Sequence, residues 1–200
     1  MERIGIFGGT FDPPHLGHLV LAEAAREQLQ LDKVLWVVAG QSPLKPQGAA
    51  TSVEVRLQLA QAAIAGHPAF AVSRVDVDRP GPHYSVDTVA LIAAQHPGAA
   101  LFFIMGEDSL RDLPRWRRPA DLAAHSRLAV FQRPGIDTDL TELEAAIPGL
   151  AGRVVLVEAP QIDIAASDVR DRARAGRSLR YLVPDAVRAI IEQQGLYRAA

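Results

Sequence analysis

The chain has 200 residues, enough for one domain with a full hydrophobic core, and an ordinary globular composition of 48% hydrophobic and 22% charged residues. A net charge of −2 and a pI near 6.3 provide no general attraction to nucleic acid or anionic membranes, whereas a small phosphate-bearing molecule needs only a few local cations. The absence of cysteine excludes disulfides, thiolate nucleophiles and cysteine-based zinc sites.

The first residues, MERIGIFGG, contain no apolar stretch of signal-peptide length before a small-residue cleavage site, and no apolar run nears the ~20 residues of a membrane-spanning helix. A cytoplasmic chain without a membrane partner is expected. RIGIF (3–7) is a near-continuous apolar run of strand length, and HLGHLVLAEAAREQLQ after it carries Leu16, Leu19, Val20, Ala24 and, further on, Leu31 at roughly helical spacing. KVLWVVA (33–39) is a second strand. TSVEVRLQLAQAAIAG reads as a helix opened by Thr51 and Glu54 at capping-box spacing and stopped at Gly66. FAVSRVDV (70–77) alternates, as an edge or partly exposed strand does, and YSVDTVALIAAQ is a helix capped by Ser85.

ALFFIM (100–105), RLAVF (127–131) and RVVLVE (153–158) have the continuous apolar character of buried parallel strands. Two helices close the chain: SDVRDRARAG, capped by Ser167 and ending at Gly176, and VPDAVRAIIEQQG, with Pro184 near its first turn and Gly195 past its end. Alternating strands and helices predict an α/β fold, a Rossmann-like doubly wound parallel sheet in a single domain over 1–200 with a small helical part at about 165–198. Such folds bind ligands beyond the carboxyl ends of the strands. Four polar or glycine-containing loops fall there: GGTFDPPHLGH, GQSPLKP, GEDSL and APQIDIAAS.

The first of these, Gly8 to His18, has the composition of an anion site. Gly8 and Gly9 let backbone approach a ligand without a Cβ, and Pro13 and Pro14 stiffen the loop ahead of a helix. His15 and His18, three apart, share one face of the first turn, where unpaired N–H groups and the positive end of the helix dipole also point. Two alternatives fit less well. The i, i+3 spacing is not the usual helical zinc pair, and the string lacks the G-x-G-x-x-G of a dinucleotide loop.

The whole string, GGTFDPPHLGH, resembles the G-x-F-x-P-x-H/T-x-G-H signature of the nucleotidyltransferase α/β phosphodiesterase superfamily. PHYSVDTV, GEDSLRDLPRW, RLAVFQRPG, IAASDVR and LVPDAVRAIIEQQGLYR are similar, in that order, to the bacterial nicotinate-nucleotide adenylyltransferase family, over essentially the whole chain. The resemblance implies adenylyl transfer from ATP to nicotinate mononucleotide in NAD biosynthesis, with Mg²⁺ accompanying ATP and held largely through water rather than by protein ligands. It implies catalytic roles for His18, His15, Lys45 and Arg170. The ATP site would be completed by Gly8, Gly9, Thr10, Phe11, Gly106, Asp108 and Ser167, with Asp108 reaching ribose hydroxyls. Acceptor contacts would come from Tyr84, Ser85, Val86, Trp116 and Arg117, with the indole stacked on the pyridine ring.

Two positions depart from the family pattern. Leu44 stands where a histidine is common in the second loop, and Ala165 where a serine is common before Ser167 and Arg170. Two rival readings are a catalytically idle nucleotide-binding protein that kept the pocket, and the same chemistry with nicotinamide mononucleotide, phosphopantetheine or glycerol phosphate as acceptor. The oligomeric state is not legible.

Overall fold

The structure, a computed structural model, describes residues 1–41, 48–132 and 138–198. In chain order the elements are β1 (Arg3–Gly9), α1 (Leu16–Gln28), β2 (Lys33–Val38), α2 (Val53–Ala63), β3 (Phe70–Ser73), α3 (Ser85–Gln95) and β4 (Ala100–Gly106). They continue with α4 (Glu107–Arg111), α5 (Pro119–His125), β5 (Arg127–Phe131), α6 (Leu140–Ala146), β6 (Val154–Val157), α7 (Ala166–Arg174) and α8 (Asp185–Gln193). The described strands form one six-stranded sheet in the order β3-β2-β1-β4-β5-β6, parallel throughout. This is the doubly wound arrangement expected from the alternation of elements.

Side-chain alternation along the strands sorts the apolar residues into two cores. Phe7, Trp36, Phe102 and Phe131 face a layer made by α1, α2, α7 and α8, through residues such as Ala22, Leu59, Val169 and Val187. Ile4, Ile6, Phe103 and Leu128 face α3, α4, α5 and α6, through Val89, Leu110, Leu122 and Leu143. The closing helices α7 and α8 therefore bury their apolar stripes in the same core as the first helix.

Several local expectations are corrected. The strand expected at 70–77 ends at Ser73, where its register with β2 stops at Val37, and the chain then turns with the Asp78 N–H donating to the Arg74 carbonyl. β3 is an edge, as its alternation suggests. β6 is the other edge, and Leu156 is 52% exposed there, so its continuous apolar run did not mean burial on both faces. The cap of α2 is Ser52, whose Oγ accepts from Val55 N–H; Thr51 is diverted, because its hydroxyl binds Asp12. Tyr84, not Ser85, precedes α3, and Ala165, not Ser167, precedes α7, so both serines lie inside the first turns. Helices α4, α5 and α6 are absent from the sequence reading, which takes GEDSL, the start of α4, as a loop.

Candidate active site

β1 lies between β2 and β4, so the connections leaving β1 and β4 diverge to opposite sides of the sheet. That divergence opens a crevice above the strands' carboxyl ends. Here it is a cleft of about 1150 Å³. Its walls come from Gly8 to Thr10 and the His15–His18 turn, from Gly106 and Asp108 after β4, and from residues 159–165 after β6. The loop after β2 contributes Ala39. Lys45 and Leu44 fall in 42–47, outside the described residues.

The two glycines do different things. A Cβ on Gly8 would meet nothing closer than Phe103 at 3.9 Å, so its missing side chain leaves space on the cleft side. A Cβ on Gly9 would lie 2.7 Å from the Phe11 ring. Gly9 is thus glycine for internal packing as much as for ligand approach. Phe11 does not line the cleft: it is 2% exposed and packs on Phe7 and Trp36, with ring centroids 5.6 and 4.9 Å away. Its backbone is left-handed (φ 50°), a strained conformation for a bulky residue that the buried ring holds in place. Phe11 also backs the His18 ring, with centroids 5.2 Å apart.

His15 caps α1, and His18 occupies its first turn. The backbone N–H of His15 donates to His18 Nδ1 at 3.1 Å, so Nδ1 presents a lone pair and the ring proton resides on Nε2. The two imidazoles are packed with centroids 3.6 Å apart and 31° between planes. His15 is 7% exposed, its Nδ1 is buried without a partner among the described residues, and burial lowers its pKa from 6.5 to about 4. Burial holds His15 as a neutral imidazole, and the hydrogen bond to Nδ1 orients the His18 ring.

A polar hub beneath the loop fixes this geometry, and the sequence reading missed it. The buried Asp12 carboxylate accepts from Ala50 N–H (2.6 Å), Thr51 N–H (3.3 Å), the Thr51 hydroxyl (2.7 Å) and the Tyr197 hydroxyl (2.7 Å). Arg170 donates to the Asp12 carbonyl at 2.8 Å. The guanidinium of Arg56, almost fully buried, donates to the carbonyls of Thr10 and Ala39, at 2.9 and 2.6 Å. Desolvation lowers the Arg56 pKa, partly opposed by the charge of Asp12. Arg170 and Ser167 do not line the cleft. Nothing local flags Arg56, which looks like a solvated helix charge, and Tyr197 meets Asp12 across 185 residues of sequence.

The opposite half of the cleft is walled by Tyr84, Ser85 and Val86 at the start of α3 and by Trp116 and Arg117. Trp116 stands edge-on to Phe103, with centroids 6.1 Å apart, and the Arg117 guanidinium lies 4.8 Å over the Tyr84 ring. A second unforeseen network holds this wall. Buried Asp76 accepts from the Thr88 hydroxyl (2.7 Å) and pairs with Arg79 (2.8 Å). His83 Nδ1 accepts from Gln41 N–H (2.8 Å) and its Nε2–H donates to the Arg79 carbonyl (3.0 Å), tying this wall to the loop after β2. Among the described residues no group of three or more His, Asp or Glu side chains is placed to hold a metal ion, and no helix is long and apolar enough to cross a membrane.

Residues 6–172 match the model of the cytidylyltransferase-like family. A protein of Thermomicrobium roseum named "Probable nicotinate-nucleotide adenylyltransferase" is 50% identical over 99% of this chain and 92% of its own length. One of Herpetosiphon aurantiacus with the same name is 42% identical over the full length of both. In fold the chain is similar to the Plasmodium falciparum nicotinic acid mononucleotide adenylyltransferase complexed with NaAD, with a TM-score of 0.80, 16% identity and 98% of each chain covered. The same enzyme complexed with APC gives a TM-score of 0.77, at 17% identity and the same coverage.

Proposed function

Because this chain belongs to the nicotinate-nucleotide adenylyltransferase family, within the cytidylyltransferase-like group, we propose that it transfers the adenylyl group of ATP to nicotinate mononucleotide. The products are nicotinate adenine dinucleotide and pyrophosphate, and the step belongs to NAD biosynthesis. A 5′-phosphate oxygen of the acceptor attacks the α-phosphorus of ATP in line. The bond from that phosphorus to the bridging oxygen breaks, and pyrophosphate departs. The acceptor phosphate is already an anionic nucleophile, so no covalent enzyme intermediate is required.

The observation that carries this reading is the His15 N–H to His18 Nδ1 hydrogen bond in a cleft at the sheet's switch point. It leaves His18 with an Nε2–H donor at a helix start, the arrangement that stabilises charge developing on an α-phosphate oxygen. In this proposal His15 helps orient that donor. Gly8, Gly9, Thr10, Gly106 and Asp108 receive ATP, and Tyr84, Ser85, Val86, Trp116 and Arg117 receive the acceptor. Lys45 holds the departing pyrophosphate, and Arg170, off the cleft wall, supports the loop through the Asp12 carbonyl. Alignment of two anions does much of the rest. Mg²⁺ enters as part of the ATP substrate, and the reaction is assigned to the cytoplasm.

The test is incubation with ATP and Mg²⁺ and, in turn, nicotinate mononucleotide, nicotinamide mononucleotide, phosphopantetheine and glycerol phosphate, measuring pyrophosphate and adenylylated product. Dinucleotide with the nicotinate form is expected. Product only with another acceptor would move the assignment, and no product with any would return the chain to a binding role.

A further inference from the structure

The loop that carries the two histidines is held from below by three segments remote in sequence, two of them helices. Arg56 of α2 takes the Thr10 carbonyl, Arg170 of α7 takes the Asp12 carbonyl, and the Leu182 carbonyl, before α8, accepts the first N–H of α1 from Leu16 at 2.9 Å. A further anchor is the buried Asp12 carboxylate, with two backbone N–H and two hydroxyl donors around it. One hydroxyl comes from Tyr197, after the last helix.

We propose that Tyr197 is a positioning residue for adenylyl transfer: its hydroxyl pins Asp12, and Asp12 sets the path of the loop that presents His15 N–H to His18. This inference rests on the adenylyl-transfer reading above.

The argument is geometric. A carboxylate accepts through two oxygens, and here Oδ2 takes the Ala50 and Thr51 N–H groups while Oδ1 takes the two hydroxyls. Removing the Tyr197 hydroxyl leaves the carboxylate held only by donors of residues 50 and 51, from one side, with nothing opposing their pull. Asp12 is three residues from His15, and Pro13 and Pro14 between them transmit a displacement with little slack. The His15 N–H would then shift relative to His18 Nδ1, and the contact that selects the Nε2–H tautomer would weaken. Tyr197 is built for this task. Its backbone is left-handed (φ 65°), two residues after Gly195 (φ 61°), so the chain takes an unfavourable turn that delivers this hydroxyl. Burial, reinforced by the bond to Asp12, raises its pKa, so it stays a donor throughout the physiological range. Tyr197 touches neither substrate nor reacting atoms in this scheme.

The test is Tyr197→Phe, which keeps the ring and deletes the donor, with Thr51→Val as the second variant removing the other hydroxyl from the same oxygen. Each is assayed for kcat and for both KM values, alongside a thermal melt and ¹⁵N NMR of the His18 ring. We expect kcat per folded molecule to fall at least ~10-fold with both KM values within ~2-fold, as for an interaction realised in the transition state. The His18 spectrum should lose its pure Nε2–H signature, and the double variant should cost less than the product of the singles, because both act through Asp12. Wild-type kcat per folded molecule and an unchanged His18 tautomer in Tyr197→Phe would overturn the proposal. The spectrum is read without substrate, so it tests Tyr197 even if the wild type forms no dinucleotide, which would instead overturn the reading of the reaction.

Discussion

His15 and His18 are joined across the first turn of α1 by a backbone-to-ring hydrogen bond of 3.1 Å, and their imidazoles pack at 3.6 Å between centroids with a 31° tilt. The consequence is a directional donor. With Nδ1 engaged as acceptor, the ring proton is carried on Nε2, the donor that the proposed reaction uses. His18→Ala is therefore expected to lower kcat by about 10²–10³, the range for losing one preorganised oxyanion donor, with a much smaller change in KM for ATP. Steady-state kinetics on the folded variant check this, and near-normal kcat would remove His18 from the reaction.

His15 also makes stability depend on pH. Its folded-state pKa of about 4 lies below the ordinary 6.5, so the unfolded chain binds the proton more readily. Stability from this group is complete above pH 6.5 and is lost as pH falls through about 4, by up to roughly 3 kcal/mol at 1.36 kcal/mol per pK unit. His15→Asn removes this component. Urea unfolding of wild type and variant at pH 7, 5 and 4 should converge as pH falls, and parallel curves would count against a buried neutral His15.

Adjacent glycines separate packing from binding. Gly9→Ala would place a methyl 2.7 to 3.0 Å from the buried Phe11 ring and is expected to destabilise the fold by about 1–3 kcal/mol, the usual cost of overpacking. Gly8→Ala meets only Phe103 at 3.9 Å and should melt like wild type, while raising KM for ATP several-fold by intruding on the cleft. Equal melting temperatures for the two variants would contradict the placement of Phe11.

Acceptor choice follows from the α3 end of the cleft. Trp116 can stack on either pyridine ring, but N–H groups at the start of a helix only donate, which suits a carboxylate and leaves a carboxamide NH₂ mismatched. A mismatched partner costs about 1–3 kcal/mol, so kcat/KM should favour nicotinate over nicotinamide mononucleotide by at least ~10–100-fold. Trp116→Ala should weaken both while leaving their ratio nearly unchanged. Comparable wild-type efficiency with the two acceptors would refute this account of the wall.

The elements that could be read from the sequence were those whose cause is local. Each strand run placed a real strand, although the run at 70–77 overshoots Ser73 by four residues, because pairing with β2 ends there. The cap of α2 shifted because another residue claimed the side chain: Thr51 has the right spacing to cap α2, but Asp12 takes its hydroxyl and Ser52 replaces it. Phe11 was counted among ATP contacts because it sits in the motif. Its left-handed backbone turns the ring away from the cleft into the core.

Periodicity, the GGTFDPPHLGH string and the terminal helices determined the fold class and the position of the cleft from sequence alone, since apolar spacing and helix starts depend on near neighbours. Tertiary structure decided which nitrogen of His18 accepts from the backbone, that Arg170 reaches the Asp12 carbonyl rather than the cleft wall, and that Arg56, Asp76 and Tyr197 hold the walls of the cleft. The physical reason is desolvation. A buried charge or hydroxyl must find its partner wherever folding brings one, and for Asp12 that partner lies 185 residues away.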